Sequence, residues 1–250
     1  MAASRIDEGD AATPAEYRGR VDPEIRVILE RGPKNKRTVV SAFDWPGWGR
    51  SAKTDDDALA VLEAYRHRFA KVAALAGLAE EFDAAGPLDV VERVTGNGMT
   101  DFYGVSGMPA GPEREPMSEA ECERRIALLR AAWAALDDAA ARVSPELRKG
   151  PRGGGRERDE IYRHVNGAEI DEYGRKVGVR TPLEAREDPA ALRAHRDAMC
   201  DGIREFNARG AAAGSWWTVQ FLIRRAAWHM LDHAWEMEDR DLTGVGSIVG

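Results

Sequence analysis

His229 and His233 stand four residues apart in Trp228-His229-Met230-Leu231-Asp232-His233, and His164 lies upstream in Ile161-Tyr162-Arg163-His164-Val165. The chain has only five histidines in 250 residues, so this placement is not diluted by a His-rich background. In a helix, the i, i+4 spacing sets His229 and His233 on one face, one turn apart. A third imidazole from a neighbouring helix completes a three-nitrogen set. Three protein ligands leave a coordination position for water or substrate, the pattern of catalytic rather than structural metal sites. His164, His229 and His233 are therefore the candidate ligands of a divalent metal such as zinc, nickel or iron, all of which imidazole suits. The plainer alternative is that each is an ordinary core or surface histidine.

The residues around this set allow a sharp and a bland reading. His195 is the rival third ligand, on an apolar stripe with Leu192 and Met199, and otherwise a core residue. His67, between Arg66 and Arg68, reads as solvated helix face. Glu236, three residues beyond His233, could orient an imidazole from outside the ligand set or accept a proton. It could equally be a surface carboxylate. The run Arg148-Lys149-Gly150-Pro151-Arg152-Gly153-Gly154-Gly155-Arg156 is basic and glycine-rich. Arg152 and Arg156 are candidate contacts for an anionic ligand, unless the run is only a solvated connection.

These residues need helices to hold them. Ser118-Glu119-Ala120-Glu121 is a capping box that opens a stripe through Ile126, Leu129, Trp133, Leu136, Ala140 and Val143. A second helix, roughly 158 to 173, places Ile161, His164, Val165 and Ala168 on a shared face that points into a bundle. Asp188-Pro189 starts a third, through Leu192, His195, Met199, Ile203 and Phe206 to near Gly210. A fourth opens at Ser215 and runs to about Asp239, apolar nearly all round. Four such helices make a four-helix bundle the natural architecture.

The first half has a different texture. Ile25, Val27 and Leu29 alternate with Arg26, Ile28 and Glu30, and Thr38 to Phe43 reads as a second strand after the turn residues 32–36. Asp44-Trp45-Pro46-Gly47-Trp48-Gly49 is a rigid aromatic turn, and Thr54 caps a helix expected to run unbroken to Gly77. Val90 to Val94 and Phe102 to Val105 are expected strands. Residues 104–116 hold three prolines and three glycines and form the best boundary. The expected organisation is α+β: a tail over 1–20, a small α+β domain over 21–106, a Pro/Gly linker over 107–116 and an all-α four-helix bundle over 117–250.

Bulk properties narrow the partners. Net charge is −7, which disfavours a nucleic-acid or anionic-membrane binder. No apolar run reaches the length of a membrane span, and residues 1–8 lack the apolar stretch of a signal peptide. Two cysteines, Cys122 and Cys200, without a CxxC, fit a reducing cytoplasm. The surplus of Ala, Arg and Gly fits a high-GC bacterial genome.

With these elements placed, residues from about 117 to 240 resemble the DinB-like (DinB/YfiT) metal-binding superfamily. The carrying features are His164 on the second helix and Ile223 through His233, with HxxxH, on the fourth. That resemblance implies a divalent metal on His164, His229 and His233. It also implies a cytoplasmic bacterial enzyme acting on a small molecule with a low-molecular-weight thiol such as mycothiol, as S-transferase or isomerase. A divalent cation holds a thiolate or hydroxide at neutral pH beside an open position. Residues 24–105 resemble a HicB-like fold, carried by the first strand, by Phe43-Asp44-Trp45-Pro46-Gly47-Trp48 and by Thr54 to Leu62. Such units often bind partners or oligomerise, so the alternative is a non-enzymatic partner-binding protein with a structural metal. In that case Trp45 and Trp48 belong to its surface. A homodimer is the commonest closed assembly.

Overall fold

The computed structural model describes residues 24–151, 153–210 and 217–243. The expected tail over 1–20, the helix start at Ser215 and Arg152 lie outside them. The fold is α+β, with a small mixed sheet in the first half and the long helices in the second.

Strands β1 (Ile25–Arg31), β2 (Thr38–Ala42), β3 (Gly49–Ala52) and β4 (Leu88–Thr95) lie in the order β3-β2-β1-β4. β1–β2 and β2–β3 are antiparallel, whereas β4 returns parallel to β1. The β1–β4 register shifts between Val27 and Ile28, which pair with Val90 and Glu92. Val91 is the extra residue of this bulge, and it faces solvent. β3 was not expected. It is Gly49–Ala52, continuing directly from the aromatic turn.

The connection to β4 departs from the expected single helix. α1 (Asp55–Ala64) starts at Thr54, whose hydroxyl accepts from Asp57 N, and ends at Tyr65. α2 (Arg66–Leu75) then restarts, Gly77 takes a left-handed φ of 74°, and α3 (Ala79–Asp83) follows. The break lets Tyr65 and Phe69 serve different neighbours: Tyr65 meets Trp235, while Phe69 enters the aromatic core. The expected strand Phe102 to Val105 is also corrected. α4 (Gly98–Tyr103) occupies its start, because Asn97 and Thr100 form a reciprocal capping box and Gly104 closes the helix with a φ of 67°. Local capping overrides the β propensity of Phe102 and Tyr103, both of which are exposed.

In the second half, α5 (Glu119–Arg142) begins at Ser118, which accepts from Glu121 N. α6 (Arg158–Ala168) passes through a π-helical turn, Glu169–Tyr173, into α7 (Gly174–Lys176), three residues beyond the expected end. α8 (Pro189–Ala208) uses the Asp188 cap, and α9 (Val219–Asp239) starts at Thr218, which accepts from Phe221 N. α5, α6, α8 and α9 each pack against at least two of the others, with α5 against α9 the most extensive pairing. No described helix is long and apolar enough to cross a membrane.

One buried cluster runs from the sheet (Val27, Leu29, Val40) through Trp45, Trp48 and Phe69 into α5 and α9 (Leu129, Trp133, Ala227, Leu231). Trp45 and Trp48 are therefore core, not partner surface: both are essentially inaccessible and enclosed by Phe69 and Phe82. Gly47, with a φ of 101°, lets this turn close on α9, since a Cβ there would sit 2.8 Å from Leu231 Cδ1. Ala227 and Leu231 lie on the side of α9 turned away from His229 and His233. Residues 107–116, expected to connect two domains, are packed into the fold. Ala110 covers Ile28 and Phe43, and Glu113 is buried against Arg224. Arg224 also donates to Ser41 and Ser106. Glu30, on β1, accepts from Thr100, Ser106 and the Gly107 amide. A buried polar seam thus joins sheet, connection and α9.

Candidate metal centre

α9 is buried all round from Val219 to Ala227, although the sequence there includes Gln220, Arg224 and Arg225, and it is seated against α5 and α6, with Arg224 reaching Ser41 of the sheet. Its second half then presents His229 and His233 toward α6. There Ile161 and Val165 are buried, and His164 is carried between them in sequence. One nitrogen of each of His164, His229 and His233 lies within 4.8 Å of the corresponding nitrogens of the other two. The ring centroids are 5.2, 5.2 and 4.9 Å apart. His164 does not point into the helix pack as expected. It is exposed, while His229 and His233 are partly buried, so the cluster sits at a rim. The reason is angular: Ile161 and Val165 take the inward stripe of α6, and His164 falls beside it.

The surroundings treat the three rings differently. His233 Nδ1 lies 2.7 Å from Glu236 Oε2. The hydrogen bond to His233, supported by the one from Arg240, holds the Glu236 carboxyl below the usual carboxylate range. Glu236 is therefore ionised and can only accept, so Nδ1 donates and Nε2 is the nitrogen of His233 left for another partner. Glu236 Oε1 accepts from Arg240 Nη1 at 2.6 Å. Arg240 in turn donates Nε to the Arg148 carbonyl at 2.9 Å and Nη2 to the Arg156 carbonyl at 2.8 Å. The glycine-rich run is thereby tied to the end of α9. Glu236 is not a free surface carboxylate.

His229 Nδ1 is buried and has no hydrogen-bond partner. Burial, with the nearness of His233, His164, Arg225 and Arg156, pushes this imidazole well below its ordinary range. Burial, Arg156 and His233 also lower His164. Both rings are thus neutral at pH 7, the form in which imidazole binds a metal. Three imidazoles this close, one with a buried nitrogen that lacks a partner and one oriented by a carboxylate, fit a divalent cation, for which imidazole–metal distances are about 2.0–2.1 Å. Chelation offsets the desolvation that leaves a buried, unpaired nitrogen costly.

The other expected residues fall as follows. Arg156 is exposed, and its charge reaches His164 and His229. His195 is 2 % exposed, and its Nδ1 is 2.8 Å from Thr181 Oγ1; it is a core residue and not part of the cluster. His67 is on the exposed face of α2. Asp232 is turned to Arg50 of β3, at 2.5 Å. Cys122 and Cys200 are buried and unbonded, and burial raises both thiols, Cys200 to about 11. Sequence reasoning missed Arg225, Tyr173 and Trp217 beside the cluster. The ring of Tyr173 is 6.0 Å from His229 and 6.5 Å from Trp217. For Arg225 a signal existed: positions 225, 229 and 233 recur every four residues on one stripe of α9.

Comparison of the chain with protein-family models, with curated proteins and with solved structures finds no match to any of them.

Proposed function

We propose that His164, His229 and His233 hold a divalent metal ion and that the protein is a metal-dependent enzyme of DinB-like type. In this reading it transfers or rearranges a small molecule with the help of a low-molecular-weight thiol. The observation that carries the reading is the convergence of three imidazoles from two helices, one of which, His229, has a buried nitrogen without a hydrogen-bond partner. When bound, the ion would supply Lewis acidity that stabilises a thiolate or hydroxide at neutral pH.

The chain's own residues do the rest. Glu236 orients His233 and fixes which of its nitrogens faces the cluster. Arg240 holds Glu236 and ties down the 148–156 run beside it. The exposure of His164 leaves the cluster open on the α6 side. Among the described residues, no carboxylate, thiol or fourth imidazole joins the three, which favours an open coordination position over a closed structural site.

The test is elemental analysis of the purified, untagged protein beside His229→Ala. About one divalent metal per chain, lost in the variant, is the expected result. Equal metal in the wild type and in His164→Ala, His229→Ala and His233→Ala would remove the site. So would no metal in any of them after incubation with zinc or nickel.

A further inference from the structure

Among the described residues, the buried and half-buried arginines of the core are matched to carboxylates, with Arg225 the exception. Arg224 pairs with Glu113 at 2.6 Å, Arg125 with Glu121 at 2.6 Å, Arg196 with Asp137 at 2.6 Å and Arg50 with Asp232 at 2.5 Å. Arg225 is nine-tenths buried, at 9 % exposure. Yet it makes no hydrogen bond or ion pair with any described residue, and its Nη1 is fully buried without a partner. A guanidinium cannot shed its proton to escape this situation, so a buried, uncompensated Arg is a costly feature to retain.

Its location suggests what compensates it. Arg225 lies one helical turn before His229 on the same stripe of α9. Its guanidinium carbon is 5.3 Å from the centroid of Trp228, whose ring is stacked toward His229 at 6.4 Å. Its charge adds to the burial that lowers His229 and opposes the burial that raises Tyr173. The cation thus lies one turn from the histidine cluster, against the ring of Trp228.

We propose that Arg225 is the binding residue for a carboxylate carried by the substrate, whose flat or apolar body rests against the half-buried Trp228. The inference rests on the histidine cluster being the reaction centre. A planar carboxylate matches the guanidinium fork bidentately, and its single charge balances the single unpaired cation. A phosphate dianion would bring a second negative charge, and among the described residues no second buried, unpaired guanidinium lies beside Arg225; Arg156 is exposed.

The experiment uses benzoate as the probe, titrated calorimetrically into the full chain after metal removal, so that the carboxylate cannot bind through a metal. Wild type is expected to bind benzoate with millimolar affinity. Arg225→Met should lose at least about tenfold, and Arg225→Lys, which keeps the charge but not the fork, should fall between. In the absence of benzoate, Arg225→Met should melt no lower than wild type and carry the same metal, because a group kept for a ligand is not needed by the fold.

Equal benzoate binding by wild type and Arg225→Met, or none by wild type, would overturn the assignment. A lower melting temperature of Arg225→Met would make the residue structural and overturn it as well. Inorganic phosphate binding more tightly than benzoate would overturn the choice of carboxylate. Loss of the metal reading would show separately, in the elemental analysis of the histidine variants.

Discussion

His233 Nδ1 donates to Glu236 Oε2 at 2.7 Å, and the second oxygen of the same carboxylate takes a 2.6 Å hydrogen bond from Arg240. One carboxylate therefore sets the tautomer of a candidate ligand and joins it to the loop that ends near α6. Carboxylates in this position raise the basicity of the imidazole and fix its orientation.

Glu236→Ala should therefore lower metal affinity by about 10–100-fold while leaving the helices intact. Competition with a chromogenic chelator, beside circular dichroism, reads both. Unchanged affinity would reduce Glu236 to a helix-end ion pair.

Gly155 has a φ of 127°, and a Cβ there would lie 2.5 Å from Arg240 Nη2. Gly155→Ala meets backbone strain and pushes Arg240 off the loop. A loss of more than about 1 kcal/mol in denaturant unfolding is expected, with weaker metal retention as its companion. A neutral outcome in both would show that the loop is not held through this contact.

Arg224 and Glu113 form an ion pair inside the seam between sheet and α9, with side-chain exposures of 4 % and 0 %. Glu113→Ala leaves the arginine buried without its carboxylate and should cost about 3–5 kcal/mol. The double variant Glu113→Leu/Arg224→Met should recover most of that loss, because both charges leave together. Urea unfolding of the three proteins decides it: equal losses in the single and double variants would contradict the pair's role.

Glu169, on the π-helical turn, is completely buried, and burial raises it from 4.5 to about 7 against the pull of Arg196. Arg196 Nε stands 3.5 Å from Oε2, too far for a strong hydrogen bond. The folded chain therefore keeps a proton that the unfolded chain loses between pH 4.5 and about 7. Its contribution to stability is present below that window and is lost as pH rises through it. Glu169→Gln should gain on wild type across the window, by roughly 1.4 kcal/mol for each step of one in pH, and level off above it. A stability difference that does not change with pH would refute the buried, protonated carboxyl.

What the chain determines locally was legible in it. The caps at Thr54, Ser118 and Asp188 are satisfied within three residues, and the spacing of His229 and His233 is a property of any helix. The strand from Ile25 and the stripe from Ile126 to Val143 follow from periodicity, although Val27 to Glu30 are buried on both faces of the strand. Misreadings arose where two local signals compete. Phe102 and Tyr103 favour a strand, but the Asn97–Thr100 box closes a helix first. Tyr65 ends α1 where the apolar pattern reads through.

Only the tertiary structure decided which side chains meet across long stretches of chain. Glu113 finds Arg224, and Asp232 finds Arg50, through packing that no periodicity encodes. The same packing puts His164 at the rim instead of the interior. It buries Trp45 and Trp48 against α2 and α3, and it leaves Arg225 without a counter-charge. Spacing along a helix states which residues share a face. What that face meets depends on how helix and sheet surfaces fit together, and this is settled by the whole buried core at once.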